Sequence, residues 1–441
     1  MGLWRKIMEK VKWFLIISII LSLVLSIFSC DGKKGKDEDS VVLKTYGRYW
    51  TGIELGMKEF FIPDYKEKTG VDIELKKFNE STETLRAVRT DLEAGNKTAD
   101  FLWIDLMDLP AYKADDLLMD VSDIIEPYKD QLPPNYLAAV TTKDSAIIAV
   151  PHHISADLML YNADSIPRPE LPDTYDELMA WAKEHPGKYS YRGKSEGLTT
   201  SLMNFLYAFK AITPEKDVSR LFDAEYNPEI VETFEYLKEL YPYVHQPLYE
   251  HNPVFQVDMA NGTITLFANW DAEISKVRVD KGADYVHLHP NIQLKGKGDL
   301  RPICSGGWLF AIPKNAENPE AAKKFIQYMM TVDNQVLAIM NQDTETTYTG
   351  HFPIRADAVA EIPPSMAAEL WDVSDLQHLI DMTFENFVDR PTVPYYHDLS
   401  NILQNVHNSI VINGDDIQET LARAQKELDT YTQQMEQTTE K

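Results

Sequence analysis

The sequence predicts an α/β fold with a parallel sheet, in a chain long enough for two domains or more. Three observations carry this. Residues 41–105 alternate strand and helix patterns in the order β-α-β-α-β, which sets parallel strands beneath helices. Residues 301–331, RPICSGGWLFAIPKNAENPEAAKKFIQYMMT, read as strand, turn and helix. The chain has 441 residues, 44% of them hydrophobic, so large cores can form.

In chain order, Arg5, Lys6, Lys10 and Lys12 precede an apolar stretch over 13–28 and then Ser29-Cys30. Residues 1–29 have the layout of an export signal, outside the fold. Ile27-Phe28-Ser29-Cys30 is similar to a bacterial lipobox, with Cys30 as the lipidated first mature residue. Phe28 departs from that pattern, which has a small residue more often. An uncleaved membrane anchor is the alternative, and either way the rest is expected outside the cytoplasmic membrane. No other apolar run is long enough to span a bilayer. Residues 30–40 are polar and charged, a flexible tether reaching at most about 35 Å.

Residues 41–46 read as a strand, and 47–52 as a loop. A helix follows, with Met57, Phe60, Phe61 and Tyr65 on one face. Val71, Ile73 and Leu75 alternate with acidic residues as a second strand, and Leu85, Val88 and Leu92 mark a helix ending at Gly95. Residues 99–105 form a third strand. Ligands of such sheets bind at the carboxyl ends of strands, where Trp50, Trp103 and Asp105 lie. An apolar segment runs from Ile147 through Pro151 to Asn162. Thr174 and Glu177 form a capping box for a helix that buries Leu178, Trp181 and Ala182. Residues 262–271 read as a strand opening onto Asn269, Trp270 and Asp271, and 285–289 as another. In the 301–331 unit, Ser305-Gly306-Gly307 bares backbone beside Trp308. Pro313 ends the strand, Asn318 is placed to N-cap a helix with Pro319 first, and Ala322, Phe325, Ile326 and Met329 share a face. Ile417, Leu421, Ala424 and Leu428 give a last helix its apolar side, and the polar tail beyond is expected to fray.

The net charge is −26, more negative still without a leader that holds four basic residues and one acidic. Such a chain repels phosphate backbones, so no nucleic-acid partner is expected. Of two cysteines, one is Cys30; Cys304 then has no partner and reads as a small core residue.

The motifs resemble those of the extracellular solute-binding proteins of the carbohydrate type (family 1), the maltose-binding-protein-like receptors of ABC importers. The resemblance rests on Gly306-Gly307-Trp308 entering a strand and on N-P-E-A-A-K-K-F-I opening the next helix. K-T-G-V-D-I-E-L, A-D-F-L-W-I-D, L-L-M-D-V-S, L-P-D-T-Y-D-E-L and His351-Phe352-Pro353-Ile354-Arg355 follow in family order. The late Arg390-Pro391 with Tyr395 and Tyr396, followed by Asp415 to Leu428, resembles the family's C-terminal helices. The family usually carries acidic residues two and four positions after the crossing proline; here those are His153 and Ser155, with Asp157 at six. Asn269 stands where a small residue is usual before Trp270.

The resemblance implies a two-lobed periplasmic-binding-protein type II fold, hinged α/β domains with a cleft between. It implies one lobe from 41–150 and 290–354 and another from 151–289 and 355–441. It further implies a monomeric, lipid-anchored receptor that takes a small carbohydrate and delivers it to ABC permease subunits, without catalysis or cofactor. Trp50, Trp103, Trp270, Trp308 and Tyr395 offer apolar plates to a pyranose face, or are core. Asp105, Asp157 and Asp271 accept hydroxyl hydrogen bonds, or are caps and surface charge. Carboxylates near a cleft disfavour an anion, so a neutral sugar or oligosaccharide is expected. Arg355 and Arg390 would pair an anion if they pointed inward.

Two rivals stand beside this. One is a lipid-anchored glycoside hydrolase using two carboxylates. The other is a surface lipoprotein that binds a non-sugar solute. His152-His153 would face opposite sides of a strand, and His287 with His289 lacks neighbouring ligands in sequence, so no metal is expected. No phosphate loop, nucleophile elbow or zinc-protease motif is present.

Overall fold

Strand β1, Val42–Gly47, pairs in parallel with β2, Asp72–Lys77, and with β3, Phe101–Asp105. This is the arrangement the alternating patterns require. The computed structural model describes residues 41–248, 253–281, 285–341, 346–371 and 376–439. The expected leader, tether and Cys30 lie outside the described residues.

Helix α1 joins β1 to β2 in three continuous pieces, Thr51–Gly56, the π-turn Met57–Phe61, and Ile62–Thr69. It starts two residues before the end of the loop expected over 47–52, because the Trp50 carbonyl already accepts the Glu54 N–H at 2.9 Å. A Cβ at Gly52 would lie 2.0 Å from the Tyr348 carbonyl oxygen, so only glycine lets the helix sit there. The π-turn shifts the register of the face, so that Met57, Phe61 and Tyr65 are buried while Phe60 is half-buried. Helix α2, Ser81–Glu93, opens on a reciprocal Glu80–Glu83 capping box.

Beyond β3 the sheet becomes mixed. Its order is β2-β1-β3-β8-β4-β6-β5, with β4 at Val150–Asn162, β5 at Tyr189–Ser190, β6 at Leu266–Trp270 and β8 at Ile303–Ala311. Strand β7, Leu288–Asn291, and β9, Phe352–Pro353, also pair with β4, and β10, Phe387–Val388, pairs with β8. The strands expected over 262–271 and 285–289 thus start later, at Leu266 and Leu288. Gly262, at φ +74°, and the Asn261 side chain that accepts the Thr263 N–H make a turn of the first residues.

Strand β4 is the central crossing. Its first half pairs with β8 and its second half with β6 and β7. Every residue of it is buried, as a strand covered on both faces requires. Leu158 and Leu160 enter one buried cluster, and Met159 and Tyr161 the other, by the two-residue alternation of a strand. The first cluster gathers Phe101, Trp103, Leu309, Phe310, Phe325 and Ile326, and extends to Phe267, Leu370 and Trp371. The second gathers residues of α3, Tyr175–Glu184, of α4, Ser195–Ala208, and of two late helices.

Helix α5, Asp271–Lys281, follows β6 directly. Helix α6, Pro319–Met329, buries Ala322, Phe325, Ile326 and Met329, as the spacing required. Asn318 stands at its N-cap position but does not cap it. Its backbone N–H and Nδ2 donate instead to Asp100 Oδ1, at 2.7 and 3.2 Å, which ties the helix to the loop before β3. The late helices are α7, Tyr396–His407, and α8, Ile417–Thr439. Leu421, Ala424 and Leu428 are buried, and the tail expected to fray continues as helix to Thr439. Cys304 is fully buried, as expected, and burial pushes its thiol well above the ordinary value.

Candidate ligand-binding site

The carboxyl ends of β1, β3 and β6 and the middles of β4 and β8 meet around a cavity of about 550 Å³. That is within the range of small-molecule pockets. Trp50, Asp105, Ser155, Trp270, Gly306, Gly307, Trp308 and Arg390 line it, all flagged by the sequence. Arg48, Glu196, Gln256, Glu273 and His351 line it too and were not singled out.

The aromatic residues form two groups. Trp50 leans on Trp308, with ring centroids 5.0 Å apart. Trp103 stacks behind Trp308 at 5.9 Å and 15°, and is itself only 1% exposed. Trp103 therefore backs the plates and does not line the cavity. Trp270 stands alone at the end of β6, with the guanidinium carbons of Arg192 and Arg390 at 4.9 and 5.9 Å from its ring centre. Glycine at 306 is set by this ring: a Cβ there would lie 3.0 Å from Trp270 Cη2 and 3.2 Å from Arg390 Nη2. A Cβ at Gly307 would meet the His153 carbonyl oxygen at 2.8 Å.

The histidines come together in a way strand alternation did not foresee. Strand β4 is irregular between Pro151 and His153, and the Nδ1 atoms of His152 and His153 lie 3.2 Å apart. The irregularity turns neighbours that would face apart toward each other. His153 then stacks on His351 at 4.7 Å and 5°. His351 Nδ1 bonds Asp271 Oδ1 at 2.8 Å, and its Nε2 faces Ser155 Oγ at 3.4 Å. Among the described residues no group of three or more His, Cys, Asp or Glu is placed to hold a metal ion.

The flagged charges divide sharply. Asp105 faces the cavity and accepts from Arg390 Nη2 at 3.2 Å. Arg390 is also bound through Nη1 to Glu196 at 2.9 Å, and Tyr396 donates its hydroxyl to the same carboxylate oxygen. Asp157 is fully buried against Arg192; burial raises its pKa, with the Arg192 charge opposing. Asp271 is fully buried as well, and accepts the N–H groups of Ala156 and Phe352 besides His351. Arg355 is bound to Asp357 and the Met330 carbonyl and lies over Tyr128, away from the cavity. Asn269 is buried and its Oδ1 accepts the Trp270 N–H, which braces the plate. Tyr395 is half-buried ahead of α7 and does not line this cavity.

The sequence held a signal for His351, inside the His351-Phe352-Pro353-Ile354-Arg355 motif, but the arginine drew attention instead. Glu196 gave none, since an acidic residue in a helix's first turn is commonplace.

A second cavity of about 320 Å³ adjoins the first and shares Arg48, Asp105, Glu196 and Arg390 with it.

Residues 61–372 match the family described as bacterial extracellular solute-binding protein. Solved structures share the fold. A maltose-bound MalE3 of T. maritima superposes with a TM-score of 0.72 at 22% identity, over 89% of this chain and 100% of its own. An ABC transporter solute-binding protein of Thermotoga lettingae, solved with alpha-D-tagatose, gives 0.71 at 21%, over 89% and 99%. One from Agrobacterium radiobacter K84, in complex with ribitol, gives 0.73 at 19%, over 89% and 99%.

Proposed function

We propose that this chain, which belongs to the bacterial extracellular solute-binding protein family, captures a neutral sugar or oligosaccharide in the cleft for an ABC importer. The family places it outside the cytoplasmic membrane. The observation that carries the ligand class is the state of the cleft's charges. Arg390, the buried cation at its centre, is already shared between Asp105 and Glu196. Arg355, the other candidate for an anion, is engaged elsewhere. Among the described residues the lining holds three carboxylates, Asp105, Glu196 and Glu273, against two guanidiniums, Arg48 and Arg390. An added anion would meet net repulsion in a partly dry site. Neutral hydroxyls instead donate to the carboxylates and accept from the guanidiniums, while Trp50, Trp270 and Trp308 take C–H faces. The sugar and ribitol ligands named for the structural neighbours are consistent with this.

The lobes hinge about β4 and β8, and closure is favoured by contacts that only the shut cleft makes. A lobe division at 41–150 with 290–354 and 151–289 with 355–441 remains part of this reading. So do a monomeric state, docking on membrane permease subunits and a lipid anchor at Cys30. Against a glycoside hydrolase stands the engagement of Asp157 and Asp271, both fully buried in internal bonds and off the cavity wall. A thermal-shift and calorimetry panel tests the reading, with neutral mono- and oligosaccharides beside their phosphorylated and uronate relatives. Binding confined to the neutral set is expected. A phosphate or uronate as the tightest ligand would overturn the charge argument.

A further inference from the structure

Two ion pairs cross one end of the cleft and join the two buried clusters. Their acidic partners, Asp105 and Asp108, flank the turn after β3, whose neighbours Leu106, Leu109 and Tyr112 pack in the first cluster. Their basic partners are Arg390, ahead of α7, and His397, in its first turn; Leu399, Ile402 and Leu403 of that helix pack in the second. Arg390 Nη2 lies 3.2 Å from Asp105 Oδ1, and His397 Nε2 lies 2.7 Å from Asp108 Oδ1. The pairs differ in kind. The arginine stays charged throughout the physiological range. The histidine side chain is 41% exposed and exchanges its proton with solvent, while Asp108 is 1% exposed.

We propose that His397 and Asp108 form a proton-dependent clasp, in which a charged His397 holds the cleft shut and its deprotonation loosens it. This deepens the proposed function and rests on its reading that the lobes close over a solute.

The surroundings of His397 favour the charge. Asp105 faces it from the end of β3 and Glu196 from α4. Tyr396 and Asp398 are its neighbours on α7, and Glu80, Arg48 and Arg390 line the same cavity. Burial alone would lower its pKa, but the Asp108 hydrogen bond and charge, with Glu196 and Asp105 behind, outweigh this and raise it. In an opened cleft His397 loses Asp108 and returns toward an ordinary value of about 6.5. The closed form therefore binds the proton more tightly. Closure gains as pH falls through the closed-state value, and the gain is complete below about 6.5, where both forms are charged. One proton is linked, so the closed-to-open ratio changes by at most about tenfold per pH unit. Burial raises the pKa of Asp108 as well, with the His397 bond opposing, so acid begins to remove the clasp from the other side above the ordinary carboxylate range.

The test uses small-angle X-ray scattering of the full-length protein with no solute added, from about pH 8.5 to about pH 5.5. His397→Gln, which keeps a donor but takes no proton, and Asp108→Asn are measured beside it, with melting temperatures to confirm folding. The wild-type radius of gyration is expected to fall with pH and level off near pH 6, while both variants stay flat. A flat wild type, or a folded His397→Gln that tracks the wild-type curve, overturns the clasp. The sugar panel fails or succeeds independently, because no ligand enters the scattering measurement.

Discussion

Trp270→Ala separates a plate of the site from a pillar of the core. The ring is half-buried at the end of β6, with guanidiniums of Arg192 and Arg390 on it and the bare backbone of Gly306 within reach of its edge. A sugar face resting on it would gain about 1 kcal/mol from the aromatic contact. Covering some 40 Å² of apolar ring would add about another 1 kcal/mol at roughly 25 cal/mol per Å². Loss of both corresponds to roughly thirtyfold weaker binding. The stability cost is smaller than for a core ring, about 1–2 kcal/mol from the lost guanidinium contacts, because one side of Trp270 already faces the cavity. Trp103→Ala should do the reverse. That ring packs on Tyr49, Trp308 and Phe310 at 6.2, 5.9 and 4.7 Å, and truncation costs about 3–5 kcal/mol. Calorimetry with the tightest sugar of the panel, beside scanning calorimetry of each variant, reads both quantities. If Trp270→Ala binds as the wild type does while melting as low as Trp103→Ala, the assignment of plate and pillar is wrong.

Three further outcomes are expected. Gly307→Ala should lower stability by about 1–3 kcal/mol, since its Cβ meets backbone at His153, whereas Gly306→Ala should keep the fold and weaken sugar binding by shifting Trp270 and Arg390; equal melting temperatures for the two would refute this. Burial pushes His152 down to about 3 and His407 down to about 4, so both stay neutral in the fold and take protons on unfolding. Stability should therefore fall from pH 6.5 toward 5 by about 1.4 kcal/mol per pH unit for each, with no offset from His397, whose contribution is already complete there. Urea midpoints across that window should show roughly half the slope in His407→Gln, and an unchanged slope counts against the assignment. Cys30→Ser should leave the protein soluble or as an uncleaved precursor, and metabolic labelling that finds no acyl chain on the wild type removes the anchor from the reading.

The fold was legible where one period governs a segment. Ala322, Phe325, Ile326 and Met329 fall on one side of α6, and Thr174 caps α3 with Glu177, because both depend only on neighbours three and four residues away. The misreadings arose where a distant group competes for a local one. Asn318 leaves its cap because Asp100, some two hundred residues earlier, offers a charged acceptor. His152 and His153 turn toward each other because β4 is irregular where it meets β8.

The cleft shows the same division more sharply. Strand ends could be found from the pattern, and with them Trp50, Asp105 and Trp270, whereas Gly306, Gly307 and Trp308, expected at a strand entry, lie inside β8. Whether a charge in that region is available to a solute depends on what pairs with it across the fold. Arg390 reads in sequence as able to pair an anion if it points inward, yet Asp105 and Glu196 reach it from 285 and 194 residues away. Asp157 reads as a hydroxyl acceptor, yet Arg192 consumes it beneath the surface. These pairings remove from the site much of the charge that the sequence suggested it would use. What remains presented to a solute is apolar plate, bare glycine backbone and carboxylates of which Asp105 and Glu196 are already paired with Arg390. A surface of that kind discriminates by shape and hydroxyl placement more than by net charge, since Arg390, Asp105 and Glu196 are already bonded to one another before the solute arrives. The net charge of −26 is therefore mainly a property of the outer surface, where it governs solubility and encounter, and carries little information about what the cleft selects.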